Sequence, residues 1–166
     1  SVFDSQYHAP TAHATDSRTR THEYIPCAPS GFQITVIHVD SPAMIAIAFD
    51  ERIMREDRGF FCFPEVDINI PFTPGMDALI KSRLTPQTAH ESMTTGRRYG
   101  APDAVTAGLV GRALPEEEVL PAAIARAGEL AGKNGATLGT IKQRLYALAL
   151  AALRDRDANK LPAIGA

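Results

Sequence analysis

Between Phe60 and Phe72 the chain reads FFCFPEVDINIPF, and any fold it adopts has to accommodate this largely apolar run. One carboxylate, Glu65, sits among Phe60, Phe61, Phe63, Val66, Ile68 and Ile70. Two environments suit it. At a strand end it faces water and stays ionised. In an apolar pocket, desolvation disfavours the charged form and makes it a better proton acceptor at neutral pH, which is how a carboxylate is prepared to take a proton from carbon. On these residues alone the solvated reading leads, because most carboxylates are structural or solvated.

The remaining composition narrows the function classes. A chain of 166 residues, 45% hydrophobic and 22% charged, suits one globular domain with a core. A net charge of −2 gives no basic footprint for nucleic acid and no polybasic membrane patch. No apolar run approaches the ~20 residues that span a bilayer. The N-terminus lacks a basic stretch followed by an apolar one, so no secretory signal is expected, and KLPAIGA at the C-terminus carries no retrieval or lipidation signal. Cys27 and Cys62 lack metal-ligand spacing and support no disulfide; Cys62, between Phe61 and Phe63, reads as a buried small apolar residue. His8, His13, His22, His38 and His90 form neither HxxxH nor HExxH, so no metal site is expected.

The chain changes character near residue 31. Residues 1–31 have few large aliphatics and read as an irregular or disordered segment. FQITVIHV, from Phe32, is β-branched and reads as a strand. Ser41 and Pro42 suit an N-cap and first helical position for a short apolar helix from Ala43 to Phe49. Arg52–Met54 and Phe60–Phe63 read as extended. Asp67 follows Glu65 by two, which in a strand puts both on one face. Thr73-Pro74 and Thr85-Pro86 each pair a cap with a first-turn proline, and Gly96 can stop the second helix. A short helix over Asp103–Leu109, an extended Leu109-Val110, and a helix over Glu116–Lys133 with Pro121 at its start or at a kink complete the middle. Thr137 to Arg154 reads as one amphipathic helix with Leu138, Ile141, Leu145, Leu148, Leu150 and Leu153 on its apolar face. The fold class is α/β with a helical C-terminal portion, with a domain over 32–155 and a tail over 156–166.

The order of these pieces resembles the C-terminal half of the crotonase superfamily, the enoyl-CoA hydratase/isomerase family, over about Ala43 to Leu153. PEVDINIP resembles the family's PE-x-x-x-G-x-x-P signature, with Asn69 where glycine is usual. TTGRRYGAPDAVTAGLVGRALP resembles a second signature ending in GLV-x-x-v-p. The resemblance implies a ββα-spiral fold and stabilisation of a thioester enolate by two backbone N–H groups while carboxylates move protons. It makes Glu65 the catalytic carboxylate. The place of the hydratases' other glutamate is Met44, which cannot transfer a proton, so the resemblance points to the Δ3,Δ2-enoyl-CoA isomerase branch. Hydratase or another crotonase activity is the first alternative. A catalytically impaired partial domain serving acyl-CoA binding or subunit association is the second.

By the same resemblance Ala43 is the oxyanion donor, and Met44, Phe72, Pro74 and Gly75 bind substrate. The implied partners are an acyl-CoA and further copies of the chain in a trimer-based oligomer, in fatty-acid β-oxidation. No cofactor is implied beyond the coenzyme A of the substrate, and the chain is expected to be soluble and intracellular. Arg97-Arg98 can meet coenzyme A phosphates or simply be solvated, and Tyr99 can line an acyl pocket or the core. The pattern departs from the family in two places. Asp40-Ser41-Pro42 replaces a glycine-rich turn, and nothing in residues 1–42 resembles the family's N-terminal half. That half is expected to be missing or replaced, through an altered or truncated coding sequence upstream of residue 43.

Overall fold

Ile34 and Val36 face one side of their strand, Thr35 and Ile37 the other, and all four are buried. A strand covered on both faces belongs inside a sheet with helices above and below. The computed structural model describes residues 22–27, 30–37 and 41–161. The elements run β1 (His22–Cys27), β2 (Phe32–Ile37), β3 (Ser41–Pro42), α1 (Ala43–Ala48), β4 (Glu51–Arg55), β5 (Phe61–Cys62), α2 (Pro74–Arg83), α3 (Pro86–Thr95), α4 (Ala101–Thr106), β6 (Arg112–Leu114), α5 (Glu116–Ala131), α6 (Gly135–Leu145) and α7 (Ala147–Arg154).

The larger sheet has the order β1-β2-β4-β6. β1 and β2 are antiparallel, and β2, β4 and β6 are parallel, with Val36 opposite Ile53 and Ile53 opposite Arg112. On one face Ile34, Val36 and Ile53 pack with Val119, Ala123 and Ala127 of α5. On the other, Ile37 and Met54 join Ala46 and Ile47 of α1, Phe61, Phe63, Ile80 and Tyr99 in the main core. A second, two-stranded sheet pairs β3 with β5 in parallel, Ser41 opposite Phe61 and Pro42 opposite Cys62. The fold is the α/β one expected, carried by part of a sheet and a helical C-terminal region.

Local chemistry sets most helix ends. Thr73 Oγ1 accepts from the Met76 amide at 3.3 Å and Thr85 Oγ1 from the Thr88 amide at 3.2 Å, each with proline as the first helical residue. Gly96 ends α3 at φ 60°, which favours glycine, and a Cβ there would stand 2.6 Å from Asp67 Oδ2 and displace that exposed side chain.

Several boundaries differ from the sequence reading. Residues 22–27, read as part of an irregular segment, form β1, an edge strand, where Pro26 is tolerated; residues 1–21 lie outside the described residues. Ser41 and Pro42 are strand residues rather than cap and first turn, because pairing with Phe61 and Cys62 holds them extended. The last parallel strand is Arg112–Leu114 rather than Leu109-Val110. Pro121 lies inside α5, which starts at Glu116; it forfeits the single bond that its amide would have made to Glu117. The C-terminal helix is two helices, broken at Tyr146 (φ −106°, ψ 21°), whose hydroxyl meets the Arg83 guanidinium. The break lets α7 lie on α2.

Candidate active site

The parallel register of β3 and β5 brings two chain segments out of the small sheet at the same end. Ala43 follows Pro42 and opens α1; Phe63, Pro64 and Glu65 follow Cys62. Ala43 is 1% exposed, and its amide belongs to a first helical turn, whose N–H groups have no intrahelical acceptor. Two candidates separated in sequence are thus set on adjoining strands.

Glu65 is not in a strand. The chain turns sharply after β5: the Pro64 carbonyl accepts from the Asp67 amide at 2.9 Å and the Ile68 amide at 3.1 Å, and the Glu65 carbonyl from the Ile70 amide at 2.9 Å. Asn69 closes the turn at φ 56°, the left-handed region, which explains why glycine suits this place and why asparagine can replace it. The turn separates Glu65 from Asp67, which strand periodicity would have put on one face. Asp67 is exposed with its carboxylate against Gly96, while Glu65 is buried.

The Glu65 side chain meets little water. The residue is 7% exposed, and its buried Oε2 has no hydrogen-bond partner among the described residues. Desolvation raises its pKa above the usual carboxylate value, opposed in part by a backbone hydrogen bond. The strand before it is aromatic: Phe61 and Phe63 meet edge-on at 5.6 Å, and Phe63 meets Phe72 edge-on at 6.2 Å. Of the two environments open to this acid, the structure has the desolvated one. Val66 and Ile68, by contrast, are exposed at 45% and 54%.

The other candidates separate into groups. Met44 and Phe72 are half-buried against the main core. Pro74 is exposed at the start of α2; Gly75 is buried, and its amide donates to Asn159 Oδ1 at 2.7 Å. Tyr99 is a core residue: it exchanges two 2.9 Å backbone hydrogen bonds with Phe61, and its hydroxyl donates to Glu91 Oε2 at 3.0 Å. Burial and the Glu91 carboxylate push its phenol up to about 12. Arg97 is held between Glu91 (2.7 Å) and Asp103 (2.8 Å), and Arg98 lies over the Phe60 ring. Three clefts of about 450–480 Å³ lie between the sheet and α5, beneath α6, and between α2 and α3; Glu65 lines none of the three. Among the described residues no His, Cys, Asp and Glu side chains gather as a metal site, and Cys62 is buried. No described helix is long and apolar enough to cross a membrane.

Asn159 was invisible to sequence reasoning, which put it in a tail. It lies in a turn after α7, with Nδ2 donating to the Ala152 carbonyl at 2.6 Å and the Asp155 carbonyl at 2.7 Å. Its partner Gly75 is too distant in sequence for any local pattern to reveal it.

Comparison with known proteins bears on the family and the fold. The chain is 30% identical over 108 residues to the peroxisomal enoyl-CoA delta isomerase 2 of Arabidopsis thaliana, a match covering 62% of this chain and 45% of that protein. The enoyl-CoA hydratase of Mycobacterium marinum superposes with a TM-score of 0.64 at 27% identity, over 72% of this chain and 55% of the other. The human mitochondrial Δ3,Δ2-enoyl-CoA isomerase has a TM-score of 0.67 at 19% identity, over 72% and 47%, a likeness of fold. The chain therefore spans about half the length of the relatives it matches. Residues 43–160 match the enoyl-CoA hydratase/isomerase family model, and the chain belongs to that family, within the crotonase superfamily.

Proposed function

We propose that this chain carries the proton-transfer wall of an enoyl-CoA isomerase site, in which Glu65 both removes and returns the proton. The observation that carries the reading is the buried carboxylate with an unpartnered oxygen and a pKa raised by desolvation. Glu65 would take a proton from C2 of a 3-enoyl thioester, with the electron pair delocalised onto the thioester oxygen. Returning the proton to C4 leaves the conjugated 2-enoyl product and regenerates the carboxylate. The Ala43 amide is the donor this chain would offer the oxyanion. Met44 and Phe72 would flank the acyl chain, with Pro74 at the rim; Gly75 would serve through its contact with Asn159. The reaction fits fatty-acid β-oxidation, with coenzyme A entering as part of the substrate and no further cofactor. Exposed Ile141, Leu145 and Leu148 suit a trimer-based homo-oligomer.

Met44 disfavours hydration, since a thioether cannot replace a second carboxylate. A different reading rests on the chain's coverage of about half of its relatives: a partial domain that binds acyl-CoA or associates with other subunits without catalysis. Conversion of a 3-enoyl-CoA to its 2-enoyl isomer, followed by absorbance, separates the two. The isomerase reading expects turnover that falls about 10²–10⁴-fold in Glu65→Gln, the range for removing a general base. Equal rates in both proteins would assign the chain to the non-catalytic class.

A further inference from the structure

Helix α6 buries none of its residues, yet it is tied to the body of the fold. Lys142 Nζ binds Asp50 Oδ2 at 2.8 Å, and the Tyr146 hydroxyl at the helix end meets Arg83. Between these ties and α7 lies a cleft of about 450 Å³, within the ~300–1,000 Å³ range of small-molecule sites. Leu79 of α2 and Leu150 and Leu153 of α7 give it an apolar wall.

The polar lining is unbalanced. Three cations, Arg83, Lys142 and Arg154, face one carboxylate, Asp50. Asp50 Oδ2 already accepts from Lys142 and from the Gln33 amide, both at 2.8 Å. Arg83 gives Nη2 to neutral acceptors, the Phe49 carbonyl at 2.7 Å and the Asp50 carbonyl at 3.0 Å, and its Nε is buried without a partner. Arg154 has no ion pair among the described residues. The Arg83 fork is thus spent on the two carbonyls and on the Tyr146 hydroxyl, which leaves Arg154, beside the apolar wall, as the cation with no acidic partner among the described residues. A planar anion on an aliphatic tail complements both halves, the anion at the Arg154 guanidinium fork and the tail along the leucines.

We propose that this cleft binds a medium-chain monocarboxylate, with its carboxylate held by Arg154 and the remaining donors of Lys142 and its tail along Leu79, Leu150 and Leu153. The site is independent of what Glu65 does. The test is titration of the full chain with decanoate, decanol and acetate, followed by amide chemical shifts and calorimetry. Decanoate is expected to bind saturably with shifts centred on Leu138, Gly139 and Leu150, while decanol and acetate bind at least tenfold more weakly. Arg154→Glu, an exposed position that the fold tolerates, is expected to weaken decanoate about tenfold by loss of one charge-assisted contact. Leu150→Trp, which fills the cleft, is expected to abolish binding. Equal affinity for decanol, unchanged affinity in Arg154→Glu, or shifts centred on Ala43, Glu65 and Phe72 would each overturn the assignment.

Discussion

Gly75 and Asn159 stand 84 positions apart and share a 2.7 Å hydrogen bond, the Gly75 amide donating to the Asn159 side-chain oxygen. The amide nitrogen of Asn159 is anchored in turn to the carbonyls that end α7. One side chain thus caps the start of α2 and the end of α7, and it fixes the helix that follows the Glu65–Phe72 segment.

Replacing Asn159 by alanine leaves the buried Gly75 amide without an acceptor and is expected to cost about 1–2 kcal/mol in urea unfolding, the size of a lost helix cap. Gly75→Ala puts a Cβ 2.6 Å from Asn159 Oδ1 and 3.0 Å from Leu153 Cδ2, so it is expected to destabilise as well. The two changes are coupled: Gly75→Ala is expected to cost less when Asn159 is already alanine. Strict additivity in the double-mutant cycle would show that the contact is not made in solution.

Glu65 contributes to stability with an acid-favouring sign. Its folded pKa lies above the ordinary 4.5, so the folded state holds the proton more tightly than the unfolded chain does. The contribution is complete below 4.5 and is lost as pH rises through the folded value. Glu65→Gln is expected to raise stability at neutral pH while lowering turnover, and to flatten this part of the profile. Thermal melts of both proteins across pH 4 to 8, at about equal ionic strength, check this.

Asp57 and Glu91 pull the other way. A hydrogen bond from Arg55 holds the Asp57 carboxyl below its ordinary value, and bonds from Arg97 and then Tyr99 do so for Glu91. Their stabilisation is present above the unfolded carboxylate values and is lost as pH falls through the folded ones. Both residues are solvent-accessible, so the effect is expected to shrink in about 0.5 M salt. Acid unfolding followed by circular dichroism at low and high salt measures it; a salt-independent acid limb would remove these pairs from the account.

Asn69 at φ 56° tolerates glycine but not a β-branched residue. Asn69→Gly is expected to change stability by no more than about 0.5 kcal/mol, and Asn69→Val to cost roughly 1–2 kcal/mol. Because this turn aims Glu65, Asn69→Val is also expected to lower turnover by more than its effect on stability explains. Equal losses in Asn69→Gly and Asn69→Val would point to the asparagine side chain itself.

What could be read in the chain was what is decided locally. Thr73-Pro74 and Thr85-Pro86 mark helix starts because cap and proline act within one turn, and Ile34 to Ile37 mark a strand because both neighbouring faces demand apolar residues. Glu65, Ala43 and Met44 came from motif likeness, which carries chemistry but not geometry. Ser41-Pro42 suits a helix start and a strand equally well, and partners 20 residues away decide between them. VDINI has strand propensity, yet Pro64 and Asn69 fold it into a turn. The Thr137–Arg154 periodicity runs unbroken through Tyr146, whose bend depends on Arg83 of another helix.

The ladder between β3 and β5 has two rungs, Ser41 with Phe61 and Pro42 with Cys62, and its register sets which residues leave the small sheet side by side. Loop residues 56–60 can gain or lose length without altering where the two segments emerge. The interval from Cys62 to Glu65 cannot: a single inserted residue would move the acid out of its buried position. Lineages of this fold can therefore be expected to vary freely in the first stretch and to hold the second at constant spacing.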